Sequence, residues 1–184
     1  MNKEKLKFMI MKKKILEAVS EDAEALRYVP KEILDKEIAL VAVNQNGMAL
    51  QYVPQTIEWY KEVALAAVSQ NGFALQCVPK EILDKEIALA AVSQDGNVLR
   101  YVSLELRDKE VALAAVNQDF FALKYVPFDI VGYKEVALAA VGQNGFALQY
   151  VEQTIEGYKE VVLAAKRQVE MCNKNTMKVA VRKY

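Results

Sequence analysis

A nineteen-residue phrase that returns at a fixed interval constrains this chain more than any other feature of its sequence. It begins at Lys36 as KEIALVAVNQNGMALQYVP and recurs at Lys61, Lys85, Lys109 and Lys134, with spacings of 25, 24, 24 and 25. A weaker copy starts at Lys12 (KKKILEAVSEDAEALRYVP). A last one at Lys159 (KEVVLAAKRQVEMC) loses the pattern after Gln168. Self-similarity at this period is the mark of a stacked array, in which each unit buries its apolar side only against its neighbours and the end units degenerate. The expected layout is a basic extension over 1–11, a helical-repeat array over 12–168 and a degenerate cap or tail over 169–184.

Each unit reads as two helices and a linker. In the unit that begins at Lys36, Asp35 is placed to cap a helix, Glu37 sits in its first turn and Ile38 to Val43 is continuously apolar. A helix apolar around most of its circumference needs neighbours on most sides. The recurring alanines (Ala42, Ala66, Ala67, Ala90, Ala91, Ala114, Ala115, Ala139, Ala140) leave room for them. Asn46-Gly47, Asn71-Gly72, Asp95-Gly96 and Asn144-Gly145 are expected to end this helix, with glycine in the left-handed conformation. A shorter segment follows, Met48 to Val53 here, under two turns long and open to α or 3₁₀ geometry. Linkers of five residues end in Asp35, Asp84 or Asp108, and linkers of six end in Tyr60, Tyr133 or Tyr158. Nothing alternates with the period of a strand. The expected fold is an all-α, right-handed helical-repeat solenoid of about seven units.

The string D-K-E-I-A-L-A-A-V-x-Q-N-G-x-A-L-x-Y resembles the tandem helical repeats of domain of unknown function 4116. The resemblance covers about residues 12–168. It departs at Cys77 for Tyr, at Asp119-Phe120 for Asn-Gly, and at Ser103 and Glu152 for Pro. It implies an array of helices and no established activity. A looser likeness is to solenoids that alternate α and 3₁₀ helices, such as the leucine-rich variant repeat.

Composition narrows the chemistry. The chain has no histidine, the commonest general base and metal ligand, and its 24 basic and 24 acidic residues are unevenly spread. Residues 1–14 carry six Lys against one Glu, and residues 166–184 carry six Lys or Arg against one Glu, which leaves the stretch between them at a net −10. That body favours a protein partner with a basic surface and disfavours nucleic acid, for which the two basic ends are the alternative footing. Cys77 and Cys172 show no metal or redox spacing, and no cofactor or metal is expected. Phe8 to Met11 is too short for a secretion-signal core, and no apolar run approaches the length of a membrane span. A reducing cytoplasmic compartment is the default, with a secreted effector as the alternative.

Regular columns read as architecture. The glutamines Gln45, Gln70, Gln94, Gln118 and Gln143 suit amides that satisfy backbone groups left over at helix ends. The tyrosines Tyr28, Tyr52, Tyr101, Tyr125 and Tyr150 are expected to pack in the core with the hydroxyl at the edge, and Cys77 among them as an inert thiol. The Lys-Glu pair at each helix start suits capping and solubility. No catalytic constellation appears, so an enzyme is disfavoured. Function is expected where the units disagree, because there the fold leaves the choice open. Trp59 fills a linker position held elsewhere by Gly132 and Gly157. Leu104 and Phe128 stand where other linkers carry Lys or Gln, and Arg100 and Lys124 vary beside the short-helix leucine. These five are the candidate partner-binding residues of a non-enzymatic protein-binding scaffold. Self-assembly through the degenerate ends is the rival reading.

Overall fold

A computed structural model describes the backbone of residues 3–181 and the side chains of residues 3–172. Among the described residues seven α-helices follow one another: α1 (Lys3–Glu21), α2 (Lys36–Gln45), α3 (Tyr60–Gln70), α4 (Lys85–Gln94), α5 (Lys109–Gln118), α6 (Tyr133–Gln143) and α7 (Tyr158–Val181). Each of α1 to α6 is followed by a six-residue 3₁₀ helix, as in Gly47–Tyr52, and among the described residues there is no strand. The expected all-α helical repeat is the fold observed, and the short segment is 3₁₀. The helices divide into two compact units, one spanning 1–94 and the other 95–184. In the first, α1 packs on α2, α2 on α3 and α3 on α4; in the second, α5 packs on α6 and α6 on α7. The last helix runs through to Val181, so the segment expected as a cap or tail is helical to that point. Residues 182–184 lie outside the described residues.

The core is built from the repeat itself. Ile38, Ala39, Ala42 and Val43 of α2 are fully buried, as are the matching residues of α3 to α6. Each buried valine, leucine or isoleucine contributes about 1.5–3 kcal/mol by leaving water. Leu40 and Val41, on the flank of the same helix, are half-buried. Three residues per turn then decide the 3₁₀ segment, because positions i and i+3 eclipse. Gly47, Leu50 and Val53 therefore face inward together and are buried; Ala49 is buried on the adjoining row, and Tyr52, one turn beyond Ala49, is half-buried. The tyrosine column lies at the edge of the core and not within it as expected from sequence: Tyr52, Tyr125 and Tyr150 are half-buried, while Tyr28 is 77% exposed and Tyr101 38%.

The Asn-Gly steps also differ from expectation. Asn46, Asn71 and Asn144 are extended, and the side chain of each accepts from the N–H two residues on, capping the 3₁₀ helix; Asp95 and Asp119 do the same. The positive-φ glycines are Gly132 and Gly157 in the linkers. The step glycines answer instead to close approach. A Cβ at Gly47 would collide with the Ala67 carbonyl of the next helix, one at Gly96 with the Ala115 carbonyl, and one at Gly145 would lie 2.7 Å from Ala165 O.

The gap so left is bridged by glutamine. Gly47 N donates to Gln70 Oε1 (2.7 Å), and Gln70 Nε2 donates back to Gln45 O (3.4 Å). Gly145 and Gln168 repeat the pair at 2.8 and 3.0 Å, and Gln45 Nε2 donates to the carbonyls of Ser20 and Glu21. The glutamine column is therefore structural, as its regularity implied. At the step where Phe120 stands for glycine, Gln143 Nε2 reaches Val116 O instead (2.6 Å).

Gly96→Ala is expected to destabilise the protein by about 1–3 kcal/mol in urea unfolding, the usual cost of overpacking. Gly142→Ala, in α6 with nothing within 4 Å of the added carbon, is expected to be neutral or stabilising by up to about 1 kcal/mol.

Candidate functional site

The linkers are where the units differ most, and local chemistry explains how each is held. Asp35, Asp84 and Asp108 each accept from backbone N–H groups of the following helix, at Ile38 N, Ile87 N, and both Glu110 N and Val111 N. Lys61 beside Asp84 (2.6 Å), together with the Ile87 N–H, holds that carboxyl below its ordinary range. The six-residue linkers use tyrosine. Tyr60 is buried and its hydroxyl donates to Cys77 O (2.9 Å), and Tyr133 donates to Tyr150 O (3.4 Å). Burial pushes the Tyr60 hydroxyl up to about 12 and raises Tyr133 as well. The Lys-Glu pairs form a ladder in which a lysine reaches acids one unit on. Lys12 meets Asp35 and Glu37, Lys36 meets Glu62, Lys109 meets Glu135 and Lys134 meets Glu160. Such exposed pairs are each worth little, at most about 1 kcal/mol.

The linker before α5 departs from all the others. It carries Arg107 where two five-residue linkers have Leu34 and Leu83. The half-buried Arg107 donates from Nε to Val102 O (2.9 Å), from Nη1 to Tyr125 O (2.8 Å) and from Nη2 to Arg100 O (3.1 Å). Tyr125 O is the counterpart of Cys77 O and Tyr150 O, so one guanidinium does the work of a linker tyrosine and ties down two further carbonyls. Sequence reasoning missed it. The signal was available as the one charged residue at that position among the five-residue linkers.

Arg107 lies in the wall of a cleft of about 630 Å³ within the 95–184 unit, also lined by Leu104, Glu105, Asp108, Lys109, Glu110, Leu113, Ile130 and Val131. Leu104 is 64% exposed and Val131 is 91% exposed, with Phe128 (58%) on the same linker as Val131. Val131 was also missed; the equivalent positions of the other six-residue linkers are Glu58 and Glu156. Leu104 and Phe128 therefore stand where other linkers use Lys or Gln, and Val131 where the other six-residue linkers use Glu. Around them are Glu105, Asp108, Glu110 and Asp129. The two cations in the wall are engaged, Arg107 with carbonyls and Lys109 with Glu135 (3.3 Å).

Arg100 and Lys124 meet elsewhere on this unit, at Tyr125. Lys124 Nζ sits 4.7 Å from the centre of the Tyr125 ring, and Arg100 stacks on Tyr101 at 4.6 Å. Lys124 and then Arg100 hold the Tyr125 hydroxyl below its ordinary range. Phe121 adds a further ring, 5.8 Å from that of Tyr150. Trp59 belongs to the 1–94 unit. It is half-buried at the N-cap of α3, with φ −90° and no side-chain cap. The glycines at its counterparts are not interchangeable with it: Gly132 and Gly157 have φ 87° and 80°, and a Cβ there would press on the stems of Lys109 and Lys134. Cys77 is half-buried and burial pushes its thiol up, away from nucleophilic use. Among the described residues, no group of three or more His, Cys, Asp or Glu could hold a metal ion, and no helix is long and apolar enough to cross a membrane.

The family described as Domain of unknown function (DUF4116) matches this sequence in four overlapping segments: 12–58, 35–83, 60–107 and 84–131. No curated protein and no solved structure gives a match.

Two outcomes are expected from the linker chemistry. Arg107→Ala is expected to cost about 1.5–3 kcal/mol in chemical denaturation, the range for hydrogen bonds from a charged donor. In alkaline titration followed by circular dichroism, the contribution of Tyr60 is present below about pH 10, the ordinary tyrosine value. It is lost as pH rises through about 12, because its folded-state value is the higher one. Tyr60→Phe removes that step.

Proposed function

We propose that this chain, which belongs to the DUF4116 family, is a non-enzymatic helical-repeat scaffold that holds another protein against the linkers of its 95–184 unit. What carries the reading is the exposure of Leu104, Phe128 and Val131 beside one cleft, the first two where other linkers have Lys or Gln and the third where the other six-residue linkers have Glu. Apolar side chains that the repeat does not require and that face water are a mark of an interaction surface. The helices and 3₁₀ segments spend their side chains on stacking, whereas these three make no demand on the stack.

The rim sets the partner's charge. Glu105 and Asp129 flank the apolar floor, so a basic segment bearing large apolar side chains is the complement. This agrees with the net −10 of residues 15–165.

A fluorescent twelve-residue helical peptide of Lys and Leu is the probe. Anisotropy titration is expected to give salt-sensitive binding that weakens at least about tenfold in Leu104→Glu/Val131→Glu, the loss of a central apolar anchor. Binding that ignores both substitutions would count against the site.

A further inference from the structure

Asn-Gly is the pair at which a protein backbone most readily attacks its own side chain. The glycine N–H gives its proton to water, and its nitrogen then bonds to the asparagine Cγ. The Cγ–Nδ2 bond breaks, ammonia leaves with a proton from water, and a succinimide ring remains. Water reopens that ring on either side of its nitrogen. One cut gives aspartate. The other gives isoaspartate, whose main chain runs through the side-chain carbons and is longer by one atom.

The chain carries this pair at Asn46-Gly47, Asn71-Gly72 and Asn144-Gly145, each at a joint of the stack. The two products would fare differently there. Asp95 and Asp119 already stand at equivalent steps and cap as the asparagines do, accepting from Asn97 N (2.8 Å) and Phe121 N (2.9 Å). Aspartate is therefore compatible with the joint. A longer main chain is not, since a single Cβ at Gly47 or Gly145 already presses on the carbonyl of Ala67 or Ala165.

At Asn46-Gly47 and Asn144-Gly145 the geometry opposes ring closure. Both asparagines are extended, with ψ 108° and 116°, which turns the glycine nitrogen away from the asparagine Cγ. Their Oδ1 atoms are tied to the N–H of Met48 and of Phe146, each at 3.0 Å. Each glycine is buried, and the proton that must leave it is held by a glutamine of the following repeat. Gln70 Oε1 accepts it from Gly47 (2.7 Å), and Gln168 Oε1 accepts it from Gly145 (2.8 Å). Attack therefore requires the joint to open first.

We propose that Asn46 and Asn144 are latent sites of succinimide-forming modification, and that the glutamine of the following repeat keeps each of them shut. A joint that stays closed keeps its asparagine. One that opens for long enough converts, and its isoaspartate form no longer closes as before.

The test incubates the full chain in mildly alkaline buffer and follows Asn46 and Asn144 separately by peptide mass spectrometry, beside a guanidinium-unfolded sample. Folded wild type is expected to convert at both steps at least about a hundredfold more slowly than the unfolded chain. Gln70→Met removes the acceptor at similar size. It is expected to speed conversion at Asn46 at least about tenfold and leave Asn144 unchanged, and Gln168→Met to do the reverse. Gln70→Glu keeps an acceptor oxygen and is expected to stay close to wild type. Circular dichroism checks that each variant remains helical. Amide exchange at Gly47 and Gly145 of the wild type needs no variant and is expected to be slow at both. Wild type that converts as fast as the unfolded chain overturns the proposal, as does rapid exchange of those two amides. Acceleration by Gln70→Met at both steps alike, or at neither, overturns it too, as does Gln70→Glu converting as fast as Gln70→Met.

Discussion

The contact on which the stack depends is the approach of one unit's 3₁₀ start to the carbonyl edge of the next helix. Where the step holds glycine, that residue sets the distance, because a Cβ at Gly47 or Gly96 has no room beside Ala67 O or Ala115 O. The alanines of the facing helix permit the same closeness on the apolar side. A glutamine from the next unit then satisfies the glycine N–H and returns a bond to the previous helix end. Buried backbone groups left unpaired would each cost roughly 1–3 kcal/mol. The amide thus turns a steric necessity into a closed joint. Contacts of this kind reach only the neighbouring unit, so stability accrues step by step.

A joint made from three residue types leaves the linkers comparatively free. Their common task is to start the next helix and to satisfy the last carbonyl of a 3₁₀ segment. Aspartate caps, tyrosine hydroxyls and one arginine all perform parts of it. Because several chemistries suffice, other linker side chains can drift toward function without unsettling the stack. Leu104, Phe128 and Val131 occupy that latitude, with Arg107 fixing the backbone beneath them.

The sequence made the units, their boundaries, the Asp caps and the role of the glutamines legible, since each repeats at the period of the array. Its misreadings have physical causes. The tyrosine column looked like core because it recurs beside a buried leucine; Tyr52, however, follows the small Ala49 by one 3₁₀ turn, at the segment's end, and is only half-buried. Asn-Gly looked like a left-handed stop because that is its commonest use, whereas here the asparagine caps a new helix and the glycine yields space. Of the candidate site, Leu104 and Phe128 were found by disagreement between units. Arg107 and Val131 were visible by the same test and were missed, since only the fold places them with Leu104 in one cleft. Trp59 drew attention for its rarity, yet it sits half-buried over a helix start.

On the proposed function the helices are scaffold and the linkers of the 95–184 unit are the working surface. Hydrogen–deuterium exchange of the full chain, with and without the Lys–Leu peptide, addresses it most directly. Slowed exchange is expected only at residues 103–108 and 127–132, with the helix interiors unchanged. Protection that appeared instead along the 3₁₀ segments bearing Arg100 and Lys124, or nowhere, would contradict it.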